Sequence, residues 1–228
     1  MEKGNTALVL TPFLEGMKQA GASVELLYAR QLNIKPCTGE LFCWHKKPGK
    51  CYINDDMQNL YPKLHQTEIL VLASPVYLPL PSEMQNIINR LVPLIEPILE
   101  FKNNRTRARF HKQIKIRKIV LVGVCGWWEI GNLNTLHQIV KEIAKDVNCE
   151  FAGAVLRPHS YLMRTNLEKV KEVKYALRQV GYELVDTGII SNDLLKIISQ
   201  PLISENEYRK ELTNDYLKLK ENNSLNLD

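Results

Sequence analysis

Apolar residues in this chain follow two patterns: short uninterrupted runs, and longer stretches in which they return every three or four positions. Residues 69–73 are apolar throughout and stop at Ser74 and Pro75. Such a run suits a strand buried on both faces. Pro75 has no N–H to donate and ends it. Residues 119–124 and 151–156 repeat the pattern, one followed by a glycine-containing loop over 125–132 and the other by Arg157, Pro158 and His159. Residues 24–28 read as a further strand. Leu8, Leu10, Phe13, Leu14 and Met17 recur with helical spacing up to Gly21, with Pro12 tolerated in the first turns. Asp55 and Asp56 suit the N-terminus of a short helix reaching Leu64. Ser82 suits the N-cap of a helix carrying Met84, Ile87, Ile88 and Leu91, which Pro93 and Pro97 distort. Amphipathic helices are expected over 133–147 and over 167–180, the latter capped by Gly181. Two more are expected over 193–198 and 204–220, before a frayed polar tail from Glu221. Strands alternating with helices predict an α/β fold, a doubly wound parallel sheet without internal repeats.

The 228 residues suffice for one domain with appendages, and 45% hydrophobic residues supply a core. No run approaches the roughly 18–20 apolar residues of a membrane span, and Met1 to Asn5 lack the apolar core of a signal peptide. A cytoplasmic protein with no membrane partner is expected. The net charge of +5 is uneven. Lys102, Arg105, Arg107, Arg109, Lys112, Lys115, Arg117 and Lys118 crowd one segment, expected to be a solvated basic connection, with an anion-attracting surface as the alternative. It lacks a nucleic-acid reader motif, so no nucleic-acid partner is expected. Five cysteines, an odd number without secretory context, argue against a disulfide framework. Three of them, Cys37, Cys43 and Cys51, share the turn-rich loop 33–54 with Trp44 and His45.

Three segments at expected strand or helix ends carry candidate chemistry. Gly4, Asn5 and Thr6 open a helix, where free backbone N–H groups favour a phosphate. Ser74, Pro75, Val76 and Tyr77 form the loop after the first apolar run, the ligand-binding position of an open α/β sheet. Gly126, Trp127, Trp128 and Glu129 form the loop after the second. Tyr77 and Trp127 or Trp128 are placed to flank a flat ring. No Ser/His/Asp or paired-carboxylate arrangement stands out.

On these residues, together with the cysteine loop and Asn132, the chain resembles the flavodoxin-like family of NAD(P)H-dependent FMN reductases, and within it the iron–sulfur flavoproteins. The likeness covers most of residues 4–160. It implies a three-layer flavodoxin-like fold over 1–200 with a C-terminal helical extension over 201–228. It also implies FMN as cofactor, a nicotinamide or a redox protein as electron donor, and assembly as a homodimer or homotetramer, residues 87–99 being a candidate interface. Gly4, Asn5 and Thr6 would hold the FMN phosphate. Ser74 to Tyr77 would line the ring with backbone N–H groups and the Tyr77 side chain, and Gly126 to Glu129 would close its opposite edge.

The chain also departs from the family. The family's opening strand and the first half of its phosphate loop have no counterpart here. A truncated start is expected, with another segment or a partner chain filling the gap as alternatives. Glu40 stands where the family's second cluster cysteine would be, leaving one site to Glu40, His45 or an outside ligand. Cys37, Cys43 and Cys51 are expected as free thiols, with an iron–sulfur cluster or a zinc site that includes His45 as alternatives. Two further functions stay open: a flavin-less binding protein that keeps the fold, and an electron carrier that docks an acidic partner through the basic segment.

Overall fold

The computed structural model describes residues 3–102 and 104–224. Its centre is a parallel sheet of three strands, β1 (Ile69–Pro75), β4 (Lys118–Val124) and β5 (Glu150–Arg157), in the order β1-β4-β5. Between β1 and β4 the chain makes a separate antiparallel hairpin, β2 (Ile95–Lys102) and β3 (Arg105–Phe110).

β4 shows why an unbroken apolar run becomes a central strand. Its side chains alternate between two cores, as the pleat demands. Val120, Val122 and Val124 face a cluster with Val9, Leu10, Phe13 and Met17 of helix α1 (Asn5–Gln19) and with Val173, Leu177 and Val180 of helix α6 (Glu168–Asp186). Ile198 of helix α7 (Asn192–Ser199) completes that side. Ile119 and Leu121 face the other cluster. It holds Met57 and Leu60 of helix α3 (Met57–Gln66) and Leu133, Leu136 and Val140, the last two on helix α5 (Asn134–Asp146), with Met84 and Ile87 of helix α4 (Ser82–Asn89) at its margin. The architecture is a doubly wound α/β/α sandwich. Among the described residues no helix is long and apolar enough to cross a membrane.

α1 and α6 meet backbone to backbone. A Cβ on Gly181 would lie 2.0 Å from the Phe13 carbonyl oxygen, and one on Gly16 would lie 1.9 Å from that of Arg178. Gly181 is therefore not the cap expected of it. α6 runs on to Asp186, and the glycine sits inside it to allow the close approach.

Other expectations are corrected too. Residues 24–28 are not a strand: backbone 22–28 has no regular secondary structure, and no described residue pairs with it in a sheet. β1 is consequently an edge. Of its residues only Leu72 and Ser74 are buried, where burial on both faces was expected. The helix expected from Ser82 is α4, but the chain around Pro97 and the first half of the basic connection form the hairpin β2–β3. Its arginines are paired rather than free: Arg105 with Glu142, Arg107 with Asp146, Arg109 with Glu96 and Glu100. The positive charge of the segment is thus neutralised on these three arginines and, by Glu150, on Lys118. Ser82 lies within the first turn of α4, and Pro81 takes the N-cap position. The tail is helical as far as Ser224 in α8 (Glu205–Ser224), and the rest of it, 225–228, lies outside the described residues.

Candidate functional site

The C-terminal end of β1, the N-terminus of α1 and the start of the loop after β4 border one elongated cleft of about 1500 Å³. Gly4, Asn5, Thr6, Ser74, Pro75, Val76, Tyr77 and Gly126 all line it, so eight of the sequence candidates converge. The cleft continues along the open edge of β1 to backbone 22–30.

Its anion-attracting end is built by α1. The first turn of a helix leaves its N–H groups without intrahelical acceptors. Here the first helical bonds are those from Ala7 and Leu8 to the Gly4 carbonyl, and Gly4 brings no side chain to cap the turn. The N–H groups of Asn5 and Thr6 thus have no acceptor among the described residues. Arg164 joins them from the turn after β5, which packs against α1. Its guanidinium donates to the Lys3 carbonyl at 2.7 Å and to Asn5 Oδ1 at 3.1 Å, and it lines the cleft with donors to spare. Sequence reasoning missed Arg164, because no local pattern links positions 159 residues apart.

At the β1 loop one expectation fails. The N–H of Val76 donates to Val124 O at 2.8 Å and that of Tyr77 to Pro79 O at 3.0 Å, so neither is available to a ring. The Tyr77 side chain is 62% exposed and free to cover a ligand.

The loop after β4 divides. Gly126 lines the cleft, whereas Trp127, Trp128 and Glu129 do not. Trp127 is exposed. The Trp128 indole donates to Ile203 O at 3.3 Å and stacks on His159 with ring centroids 6.3 Å apart, so it faces the C-terminal segment. His159 is fully buried beside Arg157, whose guanidinium donates to His159 Nε2 at 2.6 Å and to the carbonyls of Pro158, Ile198 and Gln200. Burial, and then the Arg157 charge, push the His159 imidazole down to about 4, so it is neutral at physiological pH.

The cysteine loop forms a separate region. It is pinned at its start by Asp55, which takes two hydrogen bonds from Arg90 at 2.7 and 3.1 Å and one from the Lys35 N–H at 2.9 Å. Burial pushes the Asp55 carboxyl up, but the Arg90, Lys35 and Met57 hydrogen bonds outweigh it and hold the group below its ordinary value. The acidic pair read as a helix-dipole feature is thus also a clamp. Cys37 is exposed, Cys43 buried and Cys51 half-buried. Burial, and then the nearby Cys51, push the Cys43 thiol up. Glu40 accepts a hydrogen bond from the Thr38 hydroxyl. No three His, Cys, Asp or Glu side chains among the described residues come together as a metal-ligand set.

Comparison with known proteins sharpens this geometry. An iron–sulfur flavoprotein of Archaeoglobus fulgidus is 33% identical over 91 residues, 40% of this chain and 40% of that protein. One from Methanocaldococcus jannaschii is 29% identical over 93 residues, 40% of this chain and 47% of that protein. The matched stretch thus spans less than half the length of these relatives. Among solved structures, an FMN-dependent NADH-azoreductase from Bacillus anthracis in complex with FMN superposes with a TM-score of 0.54 at 11% identity, covering 81% of this chain and 93% of that one. An NAD(P)H:quinone oxidoreductase from Methanothermobacter marburgensis gives 0.51 at 16% identity, with 81% and 92% covered. Both likenesses establish the flavodoxin-like fold. The family model described as NADPH-dependent FMN reductase matches residues 1–149, well over half of the chain, and the protein belongs to that family.

Proposed function

We propose that this protein is an FMN-dependent oxidoreductase that takes electrons from NAD(P)H. The observation that carries this reading is the convergence, in one cleft, of the α1 N-terminus with Arg164, the Ser74–Tyr77 loop and Gly126. The donor set fits FMN: backbone N–H groups of Asn5 and Thr6 and a guanidinium suit the phosphate, and the exposed Tyr77 ring suits a flat aromatic system. When bound, FMN would supply the redox chemistry, exchanging two electrons with a nicotinamide and with an acceptor. The residues of this chain would bind and orient it. Gly4 gives close backbone approach, Arg164 neutralises charge, and Gly126 leaves room beside the ring edge. Trp127, exposed on the same loop, would shield that edge. The relatives' names favour a quinone, an azo compound or a second electron carrier as acceptor class. The exposed Ile98, Leu99 and Phe101 of the hairpin support assembly with like chains. A cytoplasmic location accords with this chemistry.

The test is an absorption spectrum of the protein purified without air, followed by FMN titration and NAD(P)H addition. Flavin bands that bleach with NAD(P)H are expected. A protein that stays colourless after incubation with FMN would overturn the reading and favour a flavin-less binding protein, an outcome to which the open edge of β1 lends weight.

A further inference from the structure

The loop after β4 has an unusual division of its polar groups. Its carbonyls are held by the protein. Cys125 O accepts the N–H and hydroxyl of Ser160, both at 3.0 Å, and Gly126 O accepts the Tyr208 hydroxyl at 2.8 Å. Trp127 O accepts the His159 N–H at 2.7 Å, and Trp128 O accepts His159 Nδ1–H at 3.3 Å. His159 can donate from Nδ1 because its Nε2 is occupied as an acceptor, by Arg157 at 2.6 Å and by the Leu202 N–H at 3.1 Å. By contrast, the N–H groups of Gly126, Trp127, Trp128 and Glu129 have no hydrogen-bond acceptor among the described residues.

In a planar trans peptide the C=O and the following N–H point in opposite directions. Anchoring the carbonyls of Gly126, Trp127 and Trp128 on the C-terminal side therefore aims the N–H groups of Trp127, Trp128 and Glu129 away from it. The strongest anchors on those three carbonyls, from His159 and Tyr208, lie beyond residue 149, outside the stretch that matches the family; within it, only the Cys125 thiol reaches one of them, Trp127 O at 3.5 Å. Tyr208 is the most telling. It is the one residue of α8 classed as buried among those described, and its ring packs between His159 and Tyr161 at centroid distances of 6.3 and 6.0 Å. The rest of α8 is largely exposed.

We infer that Tyr208 is a positioning residue for the bound flavin: its hydroxyl holds the carbonyl of Gly126, the loop residue that lines the cleft, so that the Gly126–Trp127 peptide presents its N–H to the edge of the ring system. This rests on the FMN reading above. The donor would meet a carbonyl oxygen of the ring, which becomes more negative on reduction, so the peptide would favour reduced FMN over oxidised.

The test compares the full-length wild type with Tyr208→Phe, which keeps the ring and removes only the hydroxyl. Tyr216→Phe, an exposed tyrosine on the same helix, is the control. Dissociation constants are measured for oxidised and for reduced FMN, together with thermal melts and near-ultraviolet circular dichroism. Tyr208→Phe should weaken reduced FMN by about tenfold, the scale of one hydrogen bond to a charged group. Oxidised FMN should weaken less, with the melting temperature within a few degrees of the control. Equal affinities for both redox states in the two variants would overturn the inference while leaving the FMN reading intact. Loss of folding in Tyr208→Phe would also overturn it, since the hydroxyl would then be a structural requirement. A wild type that binds no FMN would overturn both readings together, a result distinct from the other two.

Discussion

Arg164 is the side chain on which phosphate recognition turns. It reaches Asn5 and the Lys3 carbonyl and lines the cleft. Arg164→Gln keeps a polar donor on a shorter side chain and removes the charge. FMN should then bind about tenfold more weakly by fluorescence titration, with riboflavin, which lacks the phosphate, unaffected. Asp55 and Arg90 act differently. Their side chains are 0% and 1% exposed and tie the cysteine loop to α4, so they serve architecture rather than a ligand. The sequence marked Asp55 only as an acidic helix start, because its partner lies 35 residues on. Arg164 and Tyr208 were invisible for the same reason: each acts on a residue remote in the chain, and neither stands in a periodic pattern.

At the scale of elements, what was legible followed from local periodicity. β1, β4 and β5 were recognisable as apolar runs, and α1, α3 and α5 from their spacing. β3 was hidden by its charge. Arg105, Arg107 and Arg109 alternate with Thr106, Ala108 and Phe110 at the period of two that marks a strand, yet the run looked like a solvated linker. Gly181 was misjudged because a helix-ending glycine and a helix-packing glycine look alike in sequence; only the Phe13 backbone at 2.0 Å separates them. Gly181→Ala should accordingly lower stability by about 2 kcal/mol or more in urea melts, since the obstacle is backbone rather than a movable side chain. A similar change at Gly126, where nothing lies within 4 Å of the added carbon, should leave stability nearly unchanged.

For the whole molecule, the buried pair of Arg157 and His159 sets a response to acid. His159 titrates at about 4 in the fold and near its ordinary 6.5 when unfolded. Between those values the unfolded chain binds the extra proton, so this group's contribution falls as pH drops from about 6.5 to about 4 and is level below that. The loss is on the order of 3 kcal/mol at most, and urea melts across that range should show it. The contact of α1 with α6 reaches further. α1 carries the N–H groups proposed for the phosphate, and β1 offers it an open edge on one flank, so its position depends on a helix that begins at Glu168. Family likeness stops at 149. A chain cut there would lose β5 and α6 and lay Phe13, Val120 and Val122 open to water. The stretch that the family model matches is thus not the cooperative folding unit: residues 1–149 take their shape from a helix that lies beyond them.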